Sequence, residues 1–193
     1  MEKTLKQSAG NGDHCIKIVL YGPESTGKTT LAKQLATHYN TKWVPEYMRG
    51  YLEEKWETKN ETITRDDLLP IAKGQIALEN KITKIANTLL FCDTNLLELK
   101  VYSEYYHTGF CPSEIVEATE ENQYHHYFLT YIDVPWEADR LRDRPNDRLK
   151  MFTIFEAELR KKQLPYTVLK GSVEQRMKTA TKIIEGLLNS QVC

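Results

Sequence analysis

The sequence predicts an α/β fold in which a five-stranded parallel sheet carries helices on both faces. Three observations predict it. Short apolar runs alternate with helical patterns along the chain, as βαβ crossovers do. The first run, Ile16-Lys17-Ile18-Val19-Leu20-Tyr21, leads straight into Gly22-Pro23-Glu24-Ser25-Thr26-Gly27-Lys28-Thr29-Thr30, the G-x-x-x-x-G-K-[ST] spacing of a P-loop. The composition, 40% hydrophobic and 27% charged over 193 residues, suits one globular domain with a substantial core.

The elements follow in order. A loose polar leader is expected over residues 1–14, where Gly10-Asn11-Gly12-Asp13 favours no regular structure. A single domain is expected over 15–190. Strand 15–21 precedes the P-loop, and a helix follows from Thr29 to about Asn40 with Leu31, Leu35 and Tyr39 on one face. The short strand Lys42-Trp43-Val44 stops at Pro45. A tyrosine-rich helix then runs to about Trp56, and 57–63 reads as a polar loop. The pattern from Thr64 to about Asn87 is helical. Thr64 and Asp67 have the spacing of a capping box, and Pro70 either kinks the segment or marks its first turn. Leu89-Leu90-Phe91-Cys92 is a buried strand ending at Asp93. Helices are expected at about 95–107 and 113–122, the second opened by Pro112-Ser113. A strand over Tyr127 to Asp133 comes next. A helix at about 148–162 presents Leu149, Phe152, Phe155 and Leu159. The strand Tyr166 to Leu169 and a helix capped by Ser172 and Gln175 complete the pattern.

Composition also bounds the partners. A net charge of −1 gives no footprint for nucleic acid or a membrane surface. The four cysteines, Cys15, Cys92, Cys111 and Cys193, form no C-x-x-C pair, which argues against a zinc site or a disulfide scaffold. With no signal peptide and no membrane-length apolar run, a reducing cytoplasm is the expected setting. A homo-oligomer stays open.

The P-loop carries the clearest chemistry. Its glycines let backbone N–H groups wrap phosphate oxygens, and the next helix adds its positive end. Gly22, Glu24, Ser25, Thr26, Gly27, Lys28, Thr29 and Thr30 are therefore the expected nucleotide contacts, with ATP as donor. Lys28 reaches for the β- and γ-phosphates, and the Thr29 hydroxyl for Mg²⁺. In a parallel sheet, ligands gather beyond the carboxyl ends of the strands, so strand ends become candidate site residues. Asp93 has the form of a carboxylate that holds Mg²⁺, and it is also placed to take a proton from an attacking hydroxyl. The competing reading of Asp93 is a cap on the next helix. Glu46 opens onto the same crevice, with Tyr47 beside it and Arg49 one helical turn on. The competing reading is a surface Glu–Arg pair.

Gln75 shares the apolar face of its helix and turns either to a bound substrate or to neighbouring backbone. Asp139-Arg140-Leu141-Arg142-Asp143-Arg144-Pro145-Asn146-Asp147-Arg148 reads as a cationic lid over the phosphates at about 136–148, or else as a salt-bridged helix. Arg142 is assigned a catalytic role, and Arg140 and Arg144 nucleotide contact. Among Trp43, Tyr47, Tyr51, Tyr105 and Tyr106, most are expected in the core and one against a substrate ring.

Taken together, these segments resemble the ribosylnicotinamide kinase domain of the NadR type over about residues 16–188. The matching pieces are the P-loop, Val44-Pro45-Glu46-Tyr47-Met48-Arg49, Ile71-Ala72-Lys73-Gly74-Gln75, Cys92-Asp93-Thr94-Asn95 and Trp136-Glu137-Ala138-Asp139-Arg140-Leu141-Arg142. The resemblance implies a P-loop kinase-type three-layer sandwich with an Arg-rich lid. It implies ATP- and Mg²⁺-dependent phosphorylation of the 5′-hydroxyl of nicotinamide riboside, giving nicotinamide mononucleotide. It also implies that Glu46 and Asp93 contact the ribose or act as base and that Asp139–Arg142 is the lid; Tyr47, Arg49, Gln75 and Asn95 are expected around the acceptor. The chain departs from the family pattern at Gly50, Asn95 and Arg140. It shows no H-x-G-H of an adenylyltransferase, so a stand-alone kinase is expected. Competing expectations are a kinase of the same architecture for another nucleoside or a mononucleotide, and a regulatory ATPase.

Overall fold

The computed structural model of the chain describes residues 5–8, 15–138 and 145–190. Five strands, β1 (Ile16–Tyr21), β2 (Lys42–Val44), β3 (Leu89–Asp93), β4 (His126–Thr130) and β5 (Tyr166–Leu169), form one parallel sheet in the order β2-β3-β1-β4-β5. All six residues of β1 are buried, as expected of a central strand covered on both faces. Its pairing sets Leu20 beside Asp93 of β3 and Tyr21 beside Leu129 of β4. The P-loop therefore leaves the middle of the sheet, flanked by the carboxyl ends of β3 and β4.

The helices are α1 (Lys28–His38), α2 (Tyr47–Lys59), α3 (Leu68–Thr83), α4 (Leu96–Tyr106), α5 (Ser113–Glu121), α6 (Arg148–Lys161) and α7 (Val173–Ser190). Leu31 and Leu35 of α1 and Ala180 and Ile184 of α7 pack with Ile16, Ile18 and Leu20 on one face of the sheet. Val101 of α4 and Phe155 and Leu159 of α6 pack with Val19 and Tyr21 on the other. This is the three-layer α/β sandwich that the alternating pattern predicts. A third apolar cluster lies off the sheet, where Leu52 of α2, Leu68 and Ile71 of α3, Leu99 of α4 and Ile115 of α5 meet. It builds the wall opposite the P-loop.

Local chemistry sets the element ends. Pro70 falls in the first turn of α3, where an N–H would have no intrahelical partner, so no kink results. A 3₁₀ turn, Arg65–Asp67, precedes that helix, and the capping box forms. Strand β4 stops at Thr130, three residues short of the expected Asp133. There the chain turns away from the sheet, and Asp133 accepts hydrogen bonds from Gly171 N–H and Arg176. Among the described residues no helix is long and apolar enough to cross a membrane.

The leader needs correction over residues 5–8. Leu5 is buried in the off-sheet cluster rather than loose. Gln7 donates from its N–H to Asn122 Oδ1 (3.0 Å) and from Nε2 to Glu79 Oε1 (2.6 Å), and Ser8 N–H donates to Asn80 Oδ1 (2.6 Å). The cause is Glu79, whose fully buried carboxylate needs donors and finds them in Gln7, Lys17 and Tyr124.

Asp67 ties α2 to α3. Its carboxylate accepts from Thr64 N–H (2.7 Å), Thr64 Oγ1 (2.8 Å), Tyr51 Oη (2.9 Å) and Lys55 Nζ (2.6 Å). Burial raises the Asp67 carboxyl, but the donors from Lys55, Thr64 and Tyr51 win and bring it down to about 2. Its stabilising contribution is thus complete above the ordinary aspartate range near pH ~4 and lost as the pH falls towards 2. Asp67→Asn is expected to cost about 2–4 kcal/mol by urea denaturation at neutral pH, with the gap from wild type closing as the medium is acidified through that window. A gap independent of pH would remove Asp67 from this role.

Candidate active site

Gly27 caps α1 with φ of 83°, a left-handed conformation that glycine adopts without strain, and so turns the loop into the helix. Ser25 takes φ of 54° inside the same loop. The loop is braced from behind. Thr26 Oγ1 donates to Pro23 O (2.7 Å) and meets Thr130 Oγ1 of β4 at 2.6 Å. Buried Arg176 donates to Thr26 O (2.6 Å) and Tyr131 O (3.0 Å) and pairs with Asp133. Arg148 at the start of α6 donates to Ser25 O and Val134 O, both at 2.9 Å. Two guanidinium groups therefore fix the loop by its carbonyls.

Lys28 Nζ donates to Gly22 O (2.7 Å) and Pro23 O (2.9 Å) and lies 3.2 Å from Glu98 Oε1. Burial disfavours the charged lysine, but Glu98, Glu46 and Asp93 around it raise its pKa. Thr29 Oγ1 donates to Asp93 Oδ2 at 2.5 Å. Asp93 Oδ1 is buried and finds no hydrogen-bond partner among the described residues. Burial raises the Asp93 carboxyl, against the pull of Lys28 and the Thr29 hydroxyl. Glu98, in the first turn of α4, accepts the Gly22 N–H at 3.2 Å through Oε2. Burial pushes its carboxyl up to about 8 despite Lys28, with Glu46 and Asp93 adding repulsion.

Lys28, Thr29 and Glu98 line a cleft of about 700 Å³, within the range of small-ligand sites. The phosphate side holds Glu24, Ser25, Thr26, Gly27, Lys28, Thr29 and Thr30. Across from it stand Glu46, Arg49 and an apolar wall of Met48, Leu52 and Trp56 from α2, Leu68 from α3, and Leu99, Tyr102 and Tyr106 from α4. Arg49 Nε lies 3.8 Å from Glu46 Oε2, and its Nη1 3.7 Å from Glu53. The loop after β4 adds Val134, Pro135 and Glu137.

The structure brings Lys28, Thr29, Glu46 and Arg49 to one cleft and leaves four predicted acceptor residues, Tyr47, Gln75, Asp93 and Asn95, out of its lining; Asp93 reaches it only through Thr29, and Gly22, predicted as a nucleotide contact, gives its N–H to Glu98. Tyr47 turns to α3, where a Cβ on Gly74 would stand 2.1 Å from the ring, so only glycine admits this packing. Gln75 spends its amide on backbone, accepting Tyr47 N–H (2.8 Å) and donating to Pro45 O (3.5 Å). Asn95 caps α4 by accepting Glu98 N–H (3.2 Å), while its Nδ2 donates to Tyr127 Oη (3.2 Å). Gln75 and Asn95 reach only a small recess under Glu46. They hold the flanks of Glu46 and Glu98 instead of meeting a ligand. Of the aromatic candidates, Tyr106 lines the cleft and Trp43, Tyr47, Tyr51 and Tyr105 do not. Arg140, Arg142 and Arg144 lie outside the described residues.

Glu98, Arg176 and Tyr102 are absent from the sequence-based set. Two of them left a trace: Glu98 as an acid inside Leu96-Leu97-Glu98-Leu99, and Arg176 as an arginine in line with Ala180 and Ile184 at helical spacing.

A family model described as an AAA domain, AAA_28, matches residues 17–176. The trifunctional NAD biosynthesis/regulator protein NadR of Salmonella typhimurium is 29% identical over 126 residues, which are 65% of this chain and 30% of that protein. The chain therefore spans less than a third of the length of this curated relative. A crystal structure of NadR protein in complex with NR superposes with a TM-score of 0.69 at 20% identity, over 83% of this chain and 45% of that one. One of NadR protein in complex with NAD and AMP-PNP gives 0.71 at 19% identity, over 90% and 49%. These likenesses show a common fold.

Proposed function

Because the chain belongs to the AAA_28 family of AAA domains, its P-loop has the task of binding a nucleoside triphosphate, and we propose that it is a kinase transferring the γ-phosphoryl group of ATP to the 5′-hydroxyl of nicotinamide riboside. The observation that carries this reading is the chamber facing the P-loop. Its wall is apolar and aromatic at Met48, Leu52, Trp56, Tyr102 and Tyr106, and among the described residues its charged groups are Glu46, Glu61 and Glu98 against Arg49, with Lys28 at the phosphate side. Nicotinamide riboside carries a pyridinium ring, a flat cation suited to aromatic faces near carboxylates. A mononucleotide would bring phosphate charge into the same acidic space, where Arg49 already lies beside Glu46 and Glu53. The Tyr102 hydroxyl, buried and without a hydrogen-bond partner among the described residues, is available to an acceptor. The relative's name places it in NAD biosynthesis, and NR and AMP-PNP are the ligands of the similar structures, which supports the same pairing of donor and acceptor here. The free thiols of Cys15, Cys92 and Cys111 suit a reducing cytoplasm.

In this reading Lys28 meets the β- and γ-phosphates, and loop N–H groups cradle them. Asp93 and Thr29 fit Mg²⁺: they are hard oxygen donors, and Asp93 Oδ1 lacks a partner. One carboxylate and one hydroxyl suffice for an ion that keeps waters and phosphate oxygens as its other ligands. Bound there, Mg²⁺ would neutralise charge on the transferring phosphoryl group. Glu46 orients the ribose at the mouth of the chamber.

The test is phosphomonoester and ADP formation from ATP, Mg²⁺ and nicotinamide riboside, beside uridine, adenosine and a mononucleotide. Preference for a neutral nucleoside or a mononucleotide would overturn the acceptor. ATP hydrolysis indifferent to every nucleoside would favour an ATPase. Glu46→Gln is expected to lower kcat/KM for the nucleoside about 100-fold while nucleotide affinity stays within about threefold. Collapse of nucleotide affinity would put Glu46 in the wrong half of the cleft.

A further inference from the structure

We propose that Glu98 and Tyr102 form a polar seat for the ribose of the acceptor, Glu98 reading its 3′-hydroxyl and Tyr102 its 2′-hydroxyl, so that the site selects ribonucleosides over deoxyribonucleosides. Both side chains are buried, at 2% and 6% exposure, and both line the cleft and the recess under Glu46. Each carries a buried oxygen, Glu98 Oε1 and Tyr102 Oη, with no hydrogen-bond partner among the described residues. They stand one turn apart on α4, a spacing that sets two Cβ atoms about 6 Å apart on one face. Buried polar atoms left unmet are costly, and a ligand hydroxyl removes that cost. Tyr21 Oη is in the same state, but its ring packs against Tyr127 and Phe155 and lines neither space.

The pair suits a vicinal diol. Glu98 Oε2 accepts the Gly22 N–H at 3.2 Å, which fixes the carboxyl and leaves Oε1 for a ligand. Lys28 Nζ lies 3.2 Å from Oε1 but gives its hydrogen bonds to Gly22 O and Pro23 O. Burial pushes the Glu98 carboxyl up to about 8 and raises the Tyr102 hydroxyl as well, so at neutral pH both groups are mainly neutral donors. A ribose offers them two adjacent hydroxyl oxygens as acceptors. The order along α4 sets the pairing. Glu98 stands beside Lys28, on the phosphate side, and Tyr102 one turn farther along the helix. In a ribose whose 5′-oxygen meets the γ-phosphate, the 3′-carbon is closer along the sugar to that oxygen than the 2′-carbon is. The seat rests on the kinase reading, which brings the 5′-hydroxyl to that phosphate.

The experiment measures kcat/KM of wild type, Tyr102→Phe, Glu98→Gln and Glu98→Leu for nicotinamide riboside and its 2′-deoxy and 3′-deoxy analogues, with KM for ATP and the melting temperature of each protein. Wild type is expected to prefer nicotinamide riboside to either analogue about tenfold. Tyr102→Phe is expected to lose about tenfold on nicotinamide riboside, to lose the 2′-preference and to keep the 3′-preference, with KM for ATP within about threefold of wild type. Because it deletes an unpaired buried hydroxyl, it is also expected to melt no lower than wild type. Glu98→Gln, neutral and still able to donate, is expected to keep the 3′-preference, and Glu98→Leu to lose it. Wild type indifferent to both hydroxyls, or a Tyr102→Phe protein that keeps the 2′-preference, overturns the seat while the kinase reading stands, even if Glu98→Leu does not fold. If wild type phosphorylates adenosine or uridine instead, the proposed acceptor falls, and the same comparison on the deoxy forms of that nucleoside decides the seat. Phosphorylation of no nucleoside overturns both.

Discussion

Replacing Lys28 with alanine is expected to lower the rate of phosphoryl transfer about 1,000-fold while nucleoside affinity, measured with nucleotide present, changes by less than about threefold. Lys28 is the half-buried cation of the P-loop, and its charge is felt most where negative charge grows on the transferring group. In the proposed reading the nucleoside would lie across the cleft, on the side of Met48, Leu52 and Tyr102, and meet the lysine only through the phosphate it attacks. Single-turnover kinetics at saturating ATP would separate the two quantities. Equal losses in rate and nucleoside affinity would mean that Lys28 serves binding and not transfer. The variant should also fold. Removing one partner of a buried ion pair usually costs about 3–5 kcal/mol, because the other charge is stranded. Glu98 escapes most of that, since burial already holds its carboxyl at about 8, and without Lys28 it stays protonated at neutral pH.

The fold was legible because its signals are local. Each strand is an apolar run ended by a turn residue, and the P-loop marks the centre of the sheet through its own spacing. Asp93 was legible for the same reason: it ends a strand, and parallel strands end at the site. The acceptor wall depends on which side of a helix faces inward, and two stripes of α2 compete for that reading. Tyr47 and Tyr51 form one, and Met48, Leu52 and Trp56 form the other at a spacing of four. The tyrosines drew attention as ring binders. Yet Asp67 takes the Tyr51 hydroxyl and Gly74 makes room for Tyr47, so both turn to α3 and the second stripe meets the cleft. Glu98 was hidden by its neighbours: an acid among leucines reads as a helix surface until the sheet register sets its helix against Gly22. Residues 5–8 were read as loose because nothing in four polar-flanked positions reveals that Glu79, far along the chain, lacks donors.

Asp93→Asn should have the second large effect, a fall of about 100- to 1,000-fold in turnover with a rise of about tenfold or more in the Mg²⁺ concentration for half-maximal rate. The substitution keeps the shape of the side chain and removes its charge. Asp93 is held in place from several directions: β3 pairs it with Leu20, Thr94 N–H donates to Leu20 O at 3.0 Å behind it, and Thr29 Oγ1 bonds Oδ2 at 2.5 Å. What changes is therefore the charge of the ligand and not its position. The free Oδ1 makes the same point from the other side. A fully buried carboxylate oxygen without a donor is costly, and a hard cation bearing two charges would offset that cost on binding. An asparagine amide offers that cation a weaker oxygen. It can also turn its NH₂ to the Thr29 hydroxyl, which then has no reason to present its lone pairs to the metal. Titration of the rate with Mg²⁺ at fixed ATP distinguishes this from a proton-accepting role. If Asp93 were only the base, the asparagine variant would be slow at every Mg²⁺ concentration with an unchanged half-saturation point.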